Sequence, residues 1–153
     1  MNETNAVELL LVEDNPEDLE LALRALRKAN LTNSIHVARD GAEALEFMFC
    51  EGPHAARQVT QNPKVILLDL KLPKINGLEV LKQLKGDART KLVPVVILTS
   101  SKEESDVVAG YQLGANSYIV KPVNFERFTE AVRDLGLFWL LLNEPPKRDA
   151  IPH

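Results

Sequence analysis

Apolar and polar positions along the chain form two kinds of run. The stretches Glu8 to Val12 and Val65 to Leu68 carry apolar residues without polar alternation and end directly in acid, as strands buried on both faces do. Val93 to Leu98 repeats the pattern with β-branched residues, and Ser34 to Ala38 and Ser117 to Val120 are shorter candidates. Between these runs lie helical segments with start signals: Pro16 after Asn15, Asp40 with Glu43, Asn76 with Glu79, and Ser101 with Glu104. Strict alternation of strand and helix predicts an α/β fold, a doubly wound five-stranded parallel sheet flanked by helices.

Two segments fall outside the alternation. Cys50 to Asn62 is polar and poorly periodic and reads as a surface loop before the third strand. The tail, 143–153, contains Pro145, Pro146 and Pro152 and reads as a flexible extension of a domain spanning 1–142. From Asn124 onward, Phe125, Phe128, Val132, Leu135, Trp139 and Leu142 share one stripe, as a helix packed on a sheet requires. Leu137, Leu140 and Leu141 face the other way, so this extended last helix is apolar nearly all round near its end. A second copy covering those leucines predicts a homodimer; the alternative is that the extension folds back on its own domain.

Composition narrows the class. The chain has 153 residues, 45% hydrophobic and 26% charged, which suits one compact domain. A net charge of −4 disfavours nucleic-acid binding. One cysteine, Cys50, forms no internal disulfide, no apolar leader precedes the first strand, and no apolar stretch is long enough to span a membrane, so the cytoplasm is the expected compartment.

In an open parallel sheet the carboxyl ends of the strands form the ligand crevice, and that edge collects Glu13, Asp14, Asp69, Thr99 and Lys121. Three carboxylates at close range repel one another, and a hard divalent cation, Mg²⁺, holds them ionised together. The competing reading of Glu13 and Asp14 is helix capping within Glu-Asp-Asn-Pro. Thr99 can donate a hydrogen bond to a phosphoryl oxygen, and Lys121 can pair with a carboxylate and then with an added phosphate; the plainer alternatives are a turn residue and a solvated lysine. The histidines His36, His54 and His153 show no ligand spacing and receive no role, and Cys50 reads as a small apolar side chain near a helix end.

Glu13-Asp14, Leu67-Leu68-Asp69 followed by Leu72-Pro73 and Asn76-Gly77, Thr99-Ser100, and Tyr118 through Lys121-Pro122 resemble the receiver domain of two-component response regulators. The resemblance implies a flavodoxin-like receiver fold, with Asp69 taking a phosphoryl group from a sensor histidine kinase. It implies that Glu13, Asp14, Asp69 and the Lys71 backbone carbonyl hold Mg²⁺, that Thr99 and Lys121 bind the phosphoryl group, and that Tyr118 is the switch aromatic. The long loop before the third strand and Phe138-Trp139-Leu140 followed by Pro145-Pro146 resemble the phytochrome-associated response regulators, which implies a phytochrome as partner kinase. Lys71 departs from the neutral residue of close relatives and places a second ammonium near the site.

Other classes fit less well. A phosphatase of the haloacid dehalogenase class needs a second acid two positions after its aspartate, where this chain has Lys71. A nucleotide binder would carry a Gly-rich loop after the first strand, where Glu13-Asp14 repels phosphate instead. The chain is therefore expected to be a signalling protein and not an enzyme; the alternative is a receiver-like docking module that works without phosphorylation.

Overall fold

The structure, a computed structural model, describes residues 9–28, 34–57, 62–99, 109–115 and 117–120, with Glu126 and Glu130 as further helical positions. In chain order the elements are β1 (Leu9–Val12), α1 (Pro16–Lys28), β2 (Ile35–Ala38), α2 (Gly41–Met48), a 3₁₀ turn (Gly52–His54), β3 (Val65–Asp69), α3 (Gly77–Lys85), β4 (Val95–Thr99) and β5 (Ser117–Val120). The five strands form one sheet in the order β2-β1-β3-β4-β5, and every pairing is parallel. The alternation of apolar runs and capped helices foretold this architecture.

Burial on both sheet faces explains the unbroken apolar strands. Leu10 and Val12 of β1, Ile66 and Leu68 of β3, and Val95 and Ile97 of β4 join one core cluster with Ala44, Leu45 and Met48 of α2 and Val80, Leu81 and Leu84 of α3. Residues of the opposite parity, Leu9, Leu11, Leu67, Val96 and Leu98, are equally buried, as are Ala22, Ala25 and Leu26 of α1. Their i, i+3, i+4 spacing is the stripe by which a helix covers a sheet face. Each fully buried Leu or Ile contributes roughly 1.5–3 kcal/mol.

The caps sit where the sequence places them. Asp40 accepts a hydrogen bond from the Glu43 amide at 2.7 Å to start α2, and Asn76 accepts from the Glu79 amide at 2.9 Å to start α3. α2 closes in a Schellman arrangement: the Glu51 amide donates to the Glu46 carbonyl at 2.8 Å and the Cys50 amide to the Phe47 carbonyl at 3.3 Å. Cys50 therefore occupies the left-handed position, φ 58°, that usually belongs to glycine.

Three expectations shift. β3 runs one residue further, so Asp69 is itself a strand residue. β4 begins at Val95 and not Val93, because Pro94 has no amide to donate and the Val93 amide closes a turn onto the Thr90 carbonyl at 3.1 Å. The segment after α2 is more ordered than a plain loop: His54 packs edge-on against Phe47 with ring centroids 5.1 Å apart. Arg57 there donates from Nε to the Phe47 carbonyl at 2.9 Å and from a terminal nitrogen to the Met48 carbonyl at 3.2 Å. The expected helix start at Ser101, the extended last helix apart from Glu126 and Glu130, and the tail 143–153 lie outside the described residues.

Candidate functional site

The sheet changes direction between β1 and β3, since the chain leaves β1 for β2 on one side and returns to β3 on the other. At such a switch point the strand ends open a crevice. Val12 pairs with Leu68, so the next residues, Glu13 and Asp69, emerge side by side at the carboxyl edge. Ligand oxygens of Glu13, Asp14 and Asp69 all lie within 4.8 Å of one another, with Glu13 1% and Asp69 5% exposed and Asp14 half-buried.

Local hydrogen bonds fix the three acids. The Glu13 amide extends the ladder to the Ala38 carbonyl at 3.0 Å, and Glu13 Oε2 accepts from the Asn15 amide at 3.1 Å. Asn15 Oδ1 accepts from the amides of Glu17 and Asp18, each at 2.9 Å, so Asn15 is the cap of α1. The capping alternative for Glu13 and Asp14 is thereby answered, because the helix start is satisfied by the residue after them. Asp69 Oδ1 accepts from the Lys71 amide at 3.3 Å, which turns the chain at the end of β3, and Lys71 itself is exposed. Arg39 donates to the Asp14 carbonyl at 3.2 Å and so places a cation beside the cluster.

The donor set is oxygen only, as Mg²⁺ or Mn²⁺ requires, and neighbouring ligands around Mg²⁺ stand about 3 Å apart. The ligand oxygens, all within 4.8 Å of one another, stand in the range from which a shared ion could draw them together. Glu13, Asp14 and Asp69 thus fit a hard divalent ion, whose charge would relieve the repulsion of two buried carboxylates and a third beside them.

Thr99 reaches the same edge from the far side of β3. Asp69 pairs with Leu98, so Thr99 stands one residue beyond that pair, at the end of β4, and Thr99 pairs with Val120 at the end of β5. Lys121 follows Val120 and lies outside the described residues. Tyr118 is 40% exposed and meets Tyr111 edge-on with ring centroids 6.0 Å apart.

A second group escaped the sequence reading. His36 on β2, Glu43 on α2 and His54 in the 3₁₀ turn bring ligand atoms within 4.8 Å of one another. His36 stacks on Phe47 at 4.4 Å and meets His54 edge-on at 5.0 Å. Burial lowers the His36 pKa below its ordinary value, His54 pushes the same way, and Glu43 opposes the shift. Spacing could not reveal the pair, because the histidines stand 18 positions apart in the sequence with the whole of α2 between them.

The response regulator receiver domain family matches residues 9–133. The response regulator Rcp1 of Synechocystis sp. is 37% identical over 132 residues, 86% of this chain and 88% of Rcp1; its Mn²⁺-bound structure superposes with a TM-score of 0.76 at 36% identity, covering 92% of this chain and 99% of that one. The bacteriophytochrome response regulator RtBRR superposes with a TM-score of 0.79 at 56% identity, covering 92% of this chain and 84% of that one. The phosphorylated cyanobacterial phytochrome response regulator RcpA gives a TM-score of 0.77 at 37% identity, covering 92% and 99%. An acid-lined switch point in a sheet of order 2-1-3-4-5 and a match across most of its length agree: the chain belongs to the response regulator receiver family, and phytochrome response regulators are among its near structural neighbours.

Proposed function

We propose that this receiver is a phosphorylation switch in which Asp69 takes a phosphoryl group from the phosphohistidine of a sensor kinase, and that the kinase is a phytochrome. The observation that carries the reading is the meeting of Glu13, Asp14 and Asp69 at one strand edge, with Asp69 buried among acids. A carboxylate oxygen of Asp69 attacks phosphorus, the P–N bond to the kinase imidazole breaks, and an acyl phosphate forms on Asp69. Glu13, Asp14, Asp69 and the Lys71 carbonyl would hold Mg²⁺, which would supply positive charge to offset the phosphoryl oxygens.

The rest falls to the chain. The Lys71 amide, 3.3 Å from Asp69 Oδ1, steers the carboxylate so that its other oxygen faces the donor. The product adds about two negative charges to the edge. Lys121, next in sequence after β5, pairs with that charge, and the Thr99 hydroxyl donates to a phosphoryl oxygen. Tyr118, now exposed beside Tyr111, turns inward as Thr99 moves. Coupling of this kind is typically worth about 1–3 kcal/mol, enough to shift a surface between two populations. That surface acts on another protein, and the last-helix region pairs two copies of the chain. The similarity to RtBRR and RcpA supports the phytochrome partner.

Incubation with acetyl phosphate and Mg²⁺ is expected to add one hydroxylamine-sensitive phosphoryl group by intact mass. Asp69→Asn and chelation of Mg²⁺ are each expected to prevent it. Uptake that persists in Asp69→Asn would move the acceptor elsewhere, and no uptake by the wild-type chain would favour the phosphorylation-independent docking module.

A further inference from the structure

His36, Glu43 and His54 come from three different elements, β2, α2 and the 3₁₀ turn, and the fold gathers their ligand atoms within 4.8 Å. His36 Nε2 is shut off from solvent, makes no hydrogen bond among the described residues, and lies 3.6 Å from Glu43 Oε2. Around a tetrahedral zinc ion, neighbouring nitrogen and oxygen ligands stand about 3.3 Å apart. The His36–Glu43 edge is therefore almost at coordination spacing already. Glu43 is held in place from its other oxygen, since Oε1 accepts from the Arg39 amide at 3.0 Å and leaves Oε2 toward the imidazole.

We propose that His36, Glu43 and His54 form a second cation site, selective for a transition-metal ion of the zinc type, which ties the turn after α2 to the edge strand β2. Two imidazoles and one carboxylate suit Zn²⁺ and not Mg²⁺, which prefers oxygen ligands throughout. Three protein ligands leave one position for water. Arg57 places a competing positive charge nearby, but its guanidinium is committed to the Phe47 and Met48 carbonyls and lies over the Phe47 ring at 4.2 Å. The Glu43 carboxylate offsets that charge. The site is separate in chemistry and position from the acid cluster of Glu13, Asp14 and Asp69, and needs no phosphorylation to form.

Untagged, chelator-stripped protein would be titrated with Zn²⁺ in saturating Mg²⁺, following heat and the thermal midpoint, and with Co²⁺ for its visible absorption. The expected result is one Zn²⁺ per chain, a raised midpoint, and a four-coordinate Co²⁺ spectrum. His54→Gln and Glu43→Gln are each expected to weaken binding by roughly tenfold or more, given that losing even an outer partner of a ligand costs about 10–100-fold. Asp14→Asn and His153→Ala are expected to leave Zn²⁺ affinity unchanged. Retained Mg²⁺ binding by the His54 and Glu43 variants shows that they remain folded. Absence of saturable Zn²⁺ binding, binding that Asp14→Asn abolishes, or binding that His54→Gln leaves intact would each overturn the proposal.

Discussion

The Gly77 amide donates to the Leu70 carbonyl at 2.8 Å, and a Cβ at position 77 would stand 2.6 Å from the Leu70 Cα, with the Asp69 carbonyl oxygen also in its way. The start of α3 thus presses directly on the backbone that carries the proposed phosphoryl acceptor. Any side chain there must displace either the helix or the end of β3.

Gly77→Ala is accordingly expected to cost about 1–3 kcal/mol of stability, the usual range for overpacking. It is also expected to slow phosphorylation of Asp69, because the carboxylate moves with its backbone. Urea unfolding and the rate of uptake from acetyl phosphate check both. Unchanged stability would show that the contact relaxes freely.

At the opposite end of the site, Asp14→Asn removes one formal charge from a three-carboxylate cluster without touching the Asn15 cap. Divalent affinity is expected to fall roughly tenfold or more, since ligand charge sets affinity in oxygen sites. Mn²⁺ binding followed by electron paramagnetic resonance measures it directly. Stability in the absence of metal is expected to rise slightly or hold, because a repulsive charge is gone.

Cys50 supports a third prediction. It adopts φ 58° at the end of α2, a conformation that costs a residue with a Cβ about 1–2 kcal/mol and glycine almost nothing. Glycine loses more entropy on folding, so Cys50→Gly is expected to raise stability by a net of roughly 0.5–1 kcal/mol. Denaturant midpoints decide; a lower midpoint would mean that the thiol packs better than the backbone suffers.

Asp87 gives a pH prediction. The Arg89 side chain donates to it at 3.0 and 2.8 Å and the Arg89 amide at 2.8 Å, and these bonds hold the Asp87 pKa down to about 2. A depressed carboxylate contributes stability that is present above its ordinary value and is lost as pH falls through about 2. Arg89→Ala is expected to move the Asp87 midpoint up toward 3.8 but not fully to it, because the amide bond remains. A carboxyl-carbon NMR titration reads that midpoint, and an unmoved one would assign the shift to the backbone alone.

Much of this was legible in the chain, and the reason is locality. Consecutive Leu9 to Val12 and Val65 to Leu68 state burial on two faces, and Asp40 with Glu43 or Asn76 with Glu79 state a helix start within four residues. The acid site followed because each of its members sits at a strand end, so strand order alone brought them together. His36 with His54 was not legible, since their meeting depends on how α2 packs over β2 and on a turn that Arg57 pins to the helix end. Asn15 ahead of Pro16 marked the start of α1, yet capping by Glu13 and Asp14 stayed open as a competing reading, because Glu, Asp and Asn all accept from a helix amide and only geometry chooses among them.

The order of strands also bears on how the protein is made. β1 leaves the ribosome first, yet Leu9 finds Ile35 on one flank and Val65 on the other, and Val12 finds Leu68. A nascent chain halted before β3 would hold an apolar strand with one bare edge, a template for unwanted pairing. Completion of β3 covers that edge and delivers Asp69 to Glu13 in the same stroke, but it passes the bare edge on to β3 itself, so the half-made protein holds all three carboxylates together before β4 arrives to cover the sheet.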